Sequence, residues 1–372
     1  MAVKDRVEAC LAALQSERLS LLIGFTGNIH NFLQYEPVFT LTGFKTIDNC
    51  VVILEADGTR TLIITPSWDA ARAEERVSGV RVIASDDLIG ALQEETKRHV
   101  VPTERIGIAG LDLLPMALAT FGVDMVKQGA KRVDHIVRWT GRRKNPDEIE
   151  SARKATEIAE QGYEHLLKTV RPGMREFELS SELFCHMKAL GSEDNFLLMS
   201  SSTHNLAVRP PRGRVMVEGD IILVELTPCI DGQFSQICRT AVIGEPSQLL
   251  QEKYKLLQHA SEIGLAAARP GATVADAANA IDDVFRAAGY GEYCRPPYMR
   301  VRGHGLGALS DLPGDISVDN KTLLETDMIF IIHPNQYIPE TGYLMCGEPV
   351  RIGAASAEPL SRRHAVLDVV AV

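Results

Sequence analysis

Residues 224–240 read VELTPCIDGQFSQICRT. Asp231-Gly232 is a dipeptide favoured in two-residue hairpin turns, whose central positions need positive φ. With that turn residue 230 faces 233, so Glu225 pairs with Cys238 and Thr227 with Gln236. Side chains two apart on a strand share a face. Glu225, Thr227, Gln236 and Cys238 therefore point one way, continued by Ile221 and Leu223, while Ile222, Val224, Leu226 and Ile237 form a core stripe on the other face. Such a polar face meets solvent in many antiparallel sheets. A free cysteine beside a glutamate, flanked by apolar residues, keeps a site open as the other reading.

The chain has 372 residues, more than one ordinary core holds, which suits two domains. It is 45% hydrophobic and 24% charged, a globular composition. The net charge of −10 argues against sequence-independent nucleic-acid binding. No run reaches the length of a membrane span, and MAVKDRVEACLAALQSERLS at the start reads as a charged amphipathic helix rather than a signal peptide. Seven cysteines without a CxxC pair fit reduced thiols in a cytoplasmic protein.

Residues 1–140 alternate strand and helix signals. LSLLIG (19–24), a hairpin through Asp57-Gly58 in NCVVILEADGTRTLIIT (49–65), VRVIA (80–84) and RIGIAG (105–110) read as strands separated by helices, which predicts an α/β domain with a mixed sheet. The charge run TGRRKNPDEIE (140–150) reads as a linker. Asn145-Pro146-Asp147-Glu148 then opens a long helix, with Asn as cap and acids where the helix dipole favours them.

The second domain, 145–372, contains a repeat. VRPGMREFELSSELFCHMKALG ends at Gly191 and ARPGATVADAANAIDDVFRAAG at Gly289; the Arg, Gly and closing Gly anchors keep a constant offset of 98 residues. Each copy is a Pro-Gly turn, an amphipathic helix and a helix-ending Gly. Two related halves predict a curved antiparallel sheet backed by helices, with a site between the halves. Two further segments carry chemistry. RVRGHGLGALSDLPG (300–314) is glycine-dense around His304, and glycines let the backbone hold a histidine closely. His333 closes the apolar run MIFII. Histidine is the usual acid–base group near neutral pH.

Taken in order, these segments resemble the creatinase, aminopeptidase P and prolidase family, the pita-bread fold. NIHNFLQYEPVFTLTGF (28–44) is similar to its N-x-x-Y-x-T-G-F segment, VRPGMREFEL to its R-P-G-M-T-E turn, GDIILVEL with DGQFSQICRT to its G-D-x-V-x-x-D-x-G and S-D-x-T-R-T strands, GHGLG to G-H-G-I-G, and IIHPNQYIP to T-I-E-P-G-x-Y-I-P. The resemblance implies an N-terminal creatinase-like mixed-sheet domain and a C-terminal pita-bread domain with an internal pseudo-twofold repeat. The family's peptidases hold two divalent metals through two Asp, one His and two Glu. Those positions fall on Glu225, Gln236, His304, His333 and Gly347, with Glu348 adjacent, and Ser310-Asp311 stands where H-E-x-P begins. Gln and Gly cannot bridge cations. The resemblance therefore points to the metal-free creatinase-type members, whose G-H-S-F-G-V-L-S is similar to GHGLGALS.

The expectation is a metal-independent hydrolase of a C–N bond in a small amide, lactam or amidine, with no cofactor. His304 and His333 would serve as base and acid, Glu225 would share the proton work, and Cys238 is a candidate nucleophile. Gln236, Thr227, His204, Asp311 and Glu348 would contact substrate, and Arg209, Arg300 and Arg302 could hold a substrate carboxylate. One alternative keeps a single metal on Glu225, His304 and His333. Another is a non-catalytic binding module. The resemblance also implies a homodimer in which the N-terminal domain of one copy caps the other's site, with His30, Phe32 or Tyr35 at that mouth.

Overall fold

The hairpin forms in the register the turn dictates. Strand Ile221–Ile230 runs antiparallel to Gln233–Phe234 and then Ile237–Ile243, with Ile230 opposite Gln233, Leu226 opposite Ile237 and Glu225 opposite Cys238. Asp231 and Gly232 carry φ of 47° and 71°, the two left-handed residues of a type I′ turn. The Ser235 N–H donates to the Pro228 carbonyl at 3.1 Å, which splits the second strand in two. The structure is a computed structural model that describes residues 2–26 and 33–372. His30 and Phe32 lie outside the described residues.

Two units make up the chain. One comprises residues 143–306 and 312–372. In it, Ile222, Val224, Leu226 and Ile237 pack with Tyr163, Leu179 and Leu183. Ile221, Leu223 and Cys238 pack with Tyr254, Leu257, Ile281 and Phe285. Both faces of the hairpin are thus covered, which removes the solvent-facing alternative. The helix Pro146–Thr169 begins at Asn145, whose side chain accepts from the Glu148 N–H at 3.0 Å while Glu148 bonds back to the Asn145 N–H, a capping box. The run around it is no free linker: Lys144 N–H donates to Asp327 O at 2.8 Å and Arg143 Nε to Thr326 O at 3.0 Å.

The repeat is visible in the helices. Glu176–Ala189 and Val274–Ala287 have the same length at the repeat offset. They are preceded by Gly173 and Gly271 and followed by Gly191 and Gly289, all at positive φ. The sheet is not one antiparallel surface. Leu367–Val370, Ile237–Ile243, Ile221–Ile230 and Asn195–Ser202 form one sheet, whose first pair is parallel. Gly303–Gly305, Ile329–Ile332, Glu348–Ile352 and Ala357–Pro359 form another. The two join where Cys238 and Gly347 exchange N–H···O bonds at 3.2 and 3.0 Å.

The other unit, residues 1–142 with 307–311, is built on a six-stranded mixed sheet in the order Arg81–Ala84, Arg60–Ile64, Cys50–Glu55, Leu21–Thr26, Ile106–Ala109, Lys131–Arg132. Alternate residues bury on its two faces: Leu22, Val52 and Leu54 with Leu14 and Leu41, and Leu21, Ile23 and Ile53 with Leu88 and Leu92. Among the described residues no helix is long and apolar enough to cross a membrane.

Candidate active site

The polar face of the hairpin ends at the junction of the two sheets. The Cys238 thiol donates to Glu225 Oε1 at 3.8 Å, and Gln236 Nε2 donates to Cys238 Sγ at 3.8 Å. Burial pushes the Glu225 carboxyl up to about 7, opposed only by the Cys238 hydrogen bond. Burial, and then the Glu225 charge, holds the Cys238 thiol well above its ordinary value. A thiol raised in this way stays protonated at neutral pH, which fits the inert buried thiol better than the nucleophile. Thr227 Oγ1 and Gln236 Oε1 are buried without a hydrogen-bond partner.

Across the junction stand His304 and His333, ring centroids 5.4 Å apart and edge-on. His304 lies on Gly303–Gly305 opposite Ile331, and His333 follows Ile329–Ile332 directly. His304 Nδ1 lies 3.0 Å from the Gly305 carbonyl, which can only accept, so Nδ1 carries the proton. Burial lowers the pKa of His304, and burial with the His304 charge lowers that of His333 to about 3. Both rings are neutral at pH 7. His333 Nδ1 is a third buried polar atom without a hydrogen-bond partner.

Gly347 sets how tightly these groups meet. A Cβ there would stand 2.8 Å from the Cys238 Cβ and 2.9 Å from the His333 Cβ. Gly303 sets the histidine strand: its φ is 146°, and a Cβ would drive into the Ile331 carbonyl oxygen. We expect Gly303→Ala to destabilise the protein by about 3 kcal/mol or more, because the backbone conformation and the clash both oppose a side chain. Urea unfolding checks it.

Two residues of this cluster carried no role in the sequence reading. Asn335 accepts from the Cys346 N–H at 2.9 Å, and its side chain also bonds Cys238 and Tyr343. The Tyr343 hydroxyl is pushed up by burial and then by the charge of Glu225. The one signal for Asn335 was its spacing: it lies two residues beyond His333 in a buried, strand-like run.

The remaining expected contacts are placed elsewhere. Arg302 is fully buried and committed: Nε donates to Asp282 at 2.7 Å, Nη1 to Asn335 O at 2.8 Å and Nη2 to Gln336 Oε1 at 2.9 Å. It holds no edge for a substrate carboxylate. Glu348 points away from Gly347 into a buried ion pair with Arg239 at 3.1 Å, and also bonds Ser361 and the Ala365 N–H. Arg209 and Arg300 are exposed, Arg300 lying 4.0 Å from Asp315. Asp311 is engaged by Arg138, whose Nε donates at 2.7 Å, and Tyr35 bonds Asp134. Both belong to the N-terminal unit. His204 is exposed and bonds Pro339 O at 2.9 Å.

A family model, metallopeptidase family M24, matches residues 150–355. The peptidase YqhT of Bacillus subtilis (strain 168), described as uncharacterised, is 31% identical over 312 residues, 81% of this chain and 84% of its own. An Xaa-Pro dipeptidase of Pyrococcus furiosus is 25% identical over 93% of this chain and 98% of its own. The solved X-Pro aminopeptidase of Thermotoga maritima MSB8 superposes with a TM-score of 0.85 at 21% identity, over 98% of this chain and 99% of that one. The prolidase of Pyrococcus horikoshii OT3 gives 0.83 at 21% identity, over 97% and 99%. The chain belongs to metallopeptidase family M24, and its fold is the pita-bread fold.

These relatives overturn part of the sequence reading. A metal-independent, creatinase-like hydrolase of a small amide, lactam or amidine gives way to a peptidase-type hydrolase, and the expected absence of a cofactor gives way to the divalent cation that a metallopeptidase family implies. The side chains gathered here do not fit a shared cation centre. Among the described residues no group of three or more His, Cys, Asp or Glu converges, including the set Glu225, His304 and His333. Gln236 cannot bridge cations. At Gly347, Cys238 and His333 fill the space that a ligating side chain would need.

Proposed function

We propose that this chain is a peptidase-type hydrolase acting on the amide bond of a short peptide, with dipeptides carrying Pro second as the first class to test. One observation carries the reading: three buried polar atoms, Thr227 Oγ1, Gln236 Oε1 and His333 Nδ1, lack partners around a carboxyl poised near neutrality. Buried polar groups left unpaired cost about 1–3 kcal/mol each, so their clustering marks a place where a polar ligand supplies the missing bonds. A dipeptide with Pro second offers an acceptor in its amide carbonyl and a donor in its N-terminal amine, since the proline nitrogen carries no hydrogen. The Gln236 carbonyl would accept from that amine, and Thr227 Oγ1 and His333 Nδ1 can each donate to the amide carbonyl. Glu225, ionised, takes the proton of an attacking water and delivers it to the leaving nitrogen. His304 would help to orient the water or the leaving group.

The relatives' printed activities support this reading: an Xaa-Pro dipeptidase and an X-Pro aminopeptidase. The test is release of free proline from Ala-Pro, with Ala-Ala and Pro-Ala as comparisons, in buffer supplied with divalent cations. We expect proline release from Ala-Pro; no hydrolysis of any of the three would sink the proposal. A homodimer belongs to the same reading, and light scattering should report twice the 40.8 kDa chain mass.

A further inference from the structure

We infer that Tyr298, Tyr337 and Tyr293 form a subsite that takes a large aromatic or apolar side chain on the first residue of the substrate. The inference rests on the peptidase reading above. Tyr337 lies directly opposite Tyr343 on the two-stranded ribbon of Gln336–Ile338 and Gly342–Leu344. Directly opposed residues project to the same face with Cβ atoms about 5 Å apart. Tyr343 is the ring whose hydroxyl feels Glu225 and bonds Asn335, so the aromatic surface begins at the candidate active site.

From Tyr337 the surface extends outward. Tyr298 stacks on it with centroids 5.3 Å apart and 24° between planes. Tyr293 meets Tyr298 edge-on at 4.9 Å and tilts against Tyr337 at 5.7 Å, and His204 adds an edge at 5.9 Å. Tyr298 is 40% exposed, so its ring is not consumed by packing. Two of the polar tips are occupied: Tyr293 bonds Glu292 and His204 bonds Pro339 O. What this patch offers a ligand is chiefly ring surface.

The platform is also held in place. Gln336 points away from it, receives Arg302 at 2.9 Å, and donates to the carbonyls of both Tyr293 and Tyr337 at 2.9 Å. Rigid rings lose little entropy on binding, and each aromatic contact adds stabilisation beyond its buried area.

The test compares binding of Phe-Pro and Ala-Pro to full-length protein carrying Glu225→Gln, by calorimetry. We expect Phe-Pro to bind about tenfold more tightly. Adding Tyr298→Ala should bring the ratio close to one, and Tyr298→Phe should keep it, because the ring and not the hydroxyl makes the contact. Tyr293→Ala should give the same loss and covers the case in which Tyr298→Ala does not fold. Equal affinities, a preference that survives both alanine variants, or no binding of either dipeptide would overturn the subsite. Hydrolysis of both dipeptides by the unmodified protein without preference overturns the subsite alone. Binding with preference but without turnover overturns the peptidase reading and leaves the subsite standing.

Discussion

Glu225→Gln should lower kcat/KM on Ala-Pro by about a hundred- to ten-thousandfold, the range that a positioned acid–base group contributes. The substitution keeps shape and hydrogen bonding and removes only the titration. The pH dependence follows the same group. In the unmodified protein the ionised carboxylate is the working form, so kcat/KM should rise with pH up to about 7 and then level, and this inflection should vanish in Glu225→Gln. Stability runs the opposite way. A carboxyl whose folded pKa is raised from 4.5 to about 7 binds its proton more tightly folded than unfolded. Its stabilising contribution is full below pH 4.5 and is lost as pH rises through about 7. The variant should therefore be the more stable protein at pH 8, which thermal unfolding of the two proteins would show. Loss of activity with unchanged or raised stability separates a catalytic role from a folding defect.

Arg302→Leu should act through the fold instead. Removing the guanidinium leaves the buried Asp282 with only Arg286, 3.2 Å away, to offset its charge, and strips a donor from Gln336 and from the Asn335 carbonyl. Breaking a buried pair from one side costs about 3–5 kcal/mol. Urea unfolding should show that loss, and the double variant Asp282→Asn, Arg302→Leu should recover part of it. A variant of unchanged stability with a raised KM would return Arg302 to the carboxylate-binding role expected from its sequence position.

The contrast between Glu225 and Arg302 shows where sequence is legible. Glu225 sits on a hairpin whose turn pair fixes register, and register fixes faces, so its neighbours Cys238 and Gln236 followed from counting residues. The helix repeat was equally readable, because Pro-Gly turns and closing glycines punctuate both copies. Long-range pairing was not. Arg302 finds Asp282 across 20 residues and Glu348 finds Arg239 across 109, and nothing local marks either partner. The join of Cys238 to Gly347 likewise depends on two strands distant in sequence meeting edge to edge. That join hides the reason position 347 is a glycine: Cys238 and His333 close around it. The exposure of Tyr298 and its stacking on Tyr337 belong to the same class, invisible until the loop is placed.

The proposed function places the peptide bond on the Glu225 face of the hairpin. A crystal structure of the Glu225→Gln protein with Ala-Pro tests it most directly. The N-terminal amine of the dipeptide should lie within hydrogen-bonding distance of Gln236 Oε1 and its amide carbonyl within that of His333 Nδ1, with residue 225 facing the scissile carbonyl carbon. A dipeptide bound elsewhere, with Thr227 Oγ1, Gln236 Oε1 and His333 Nδ1 still without partners, would contradict it.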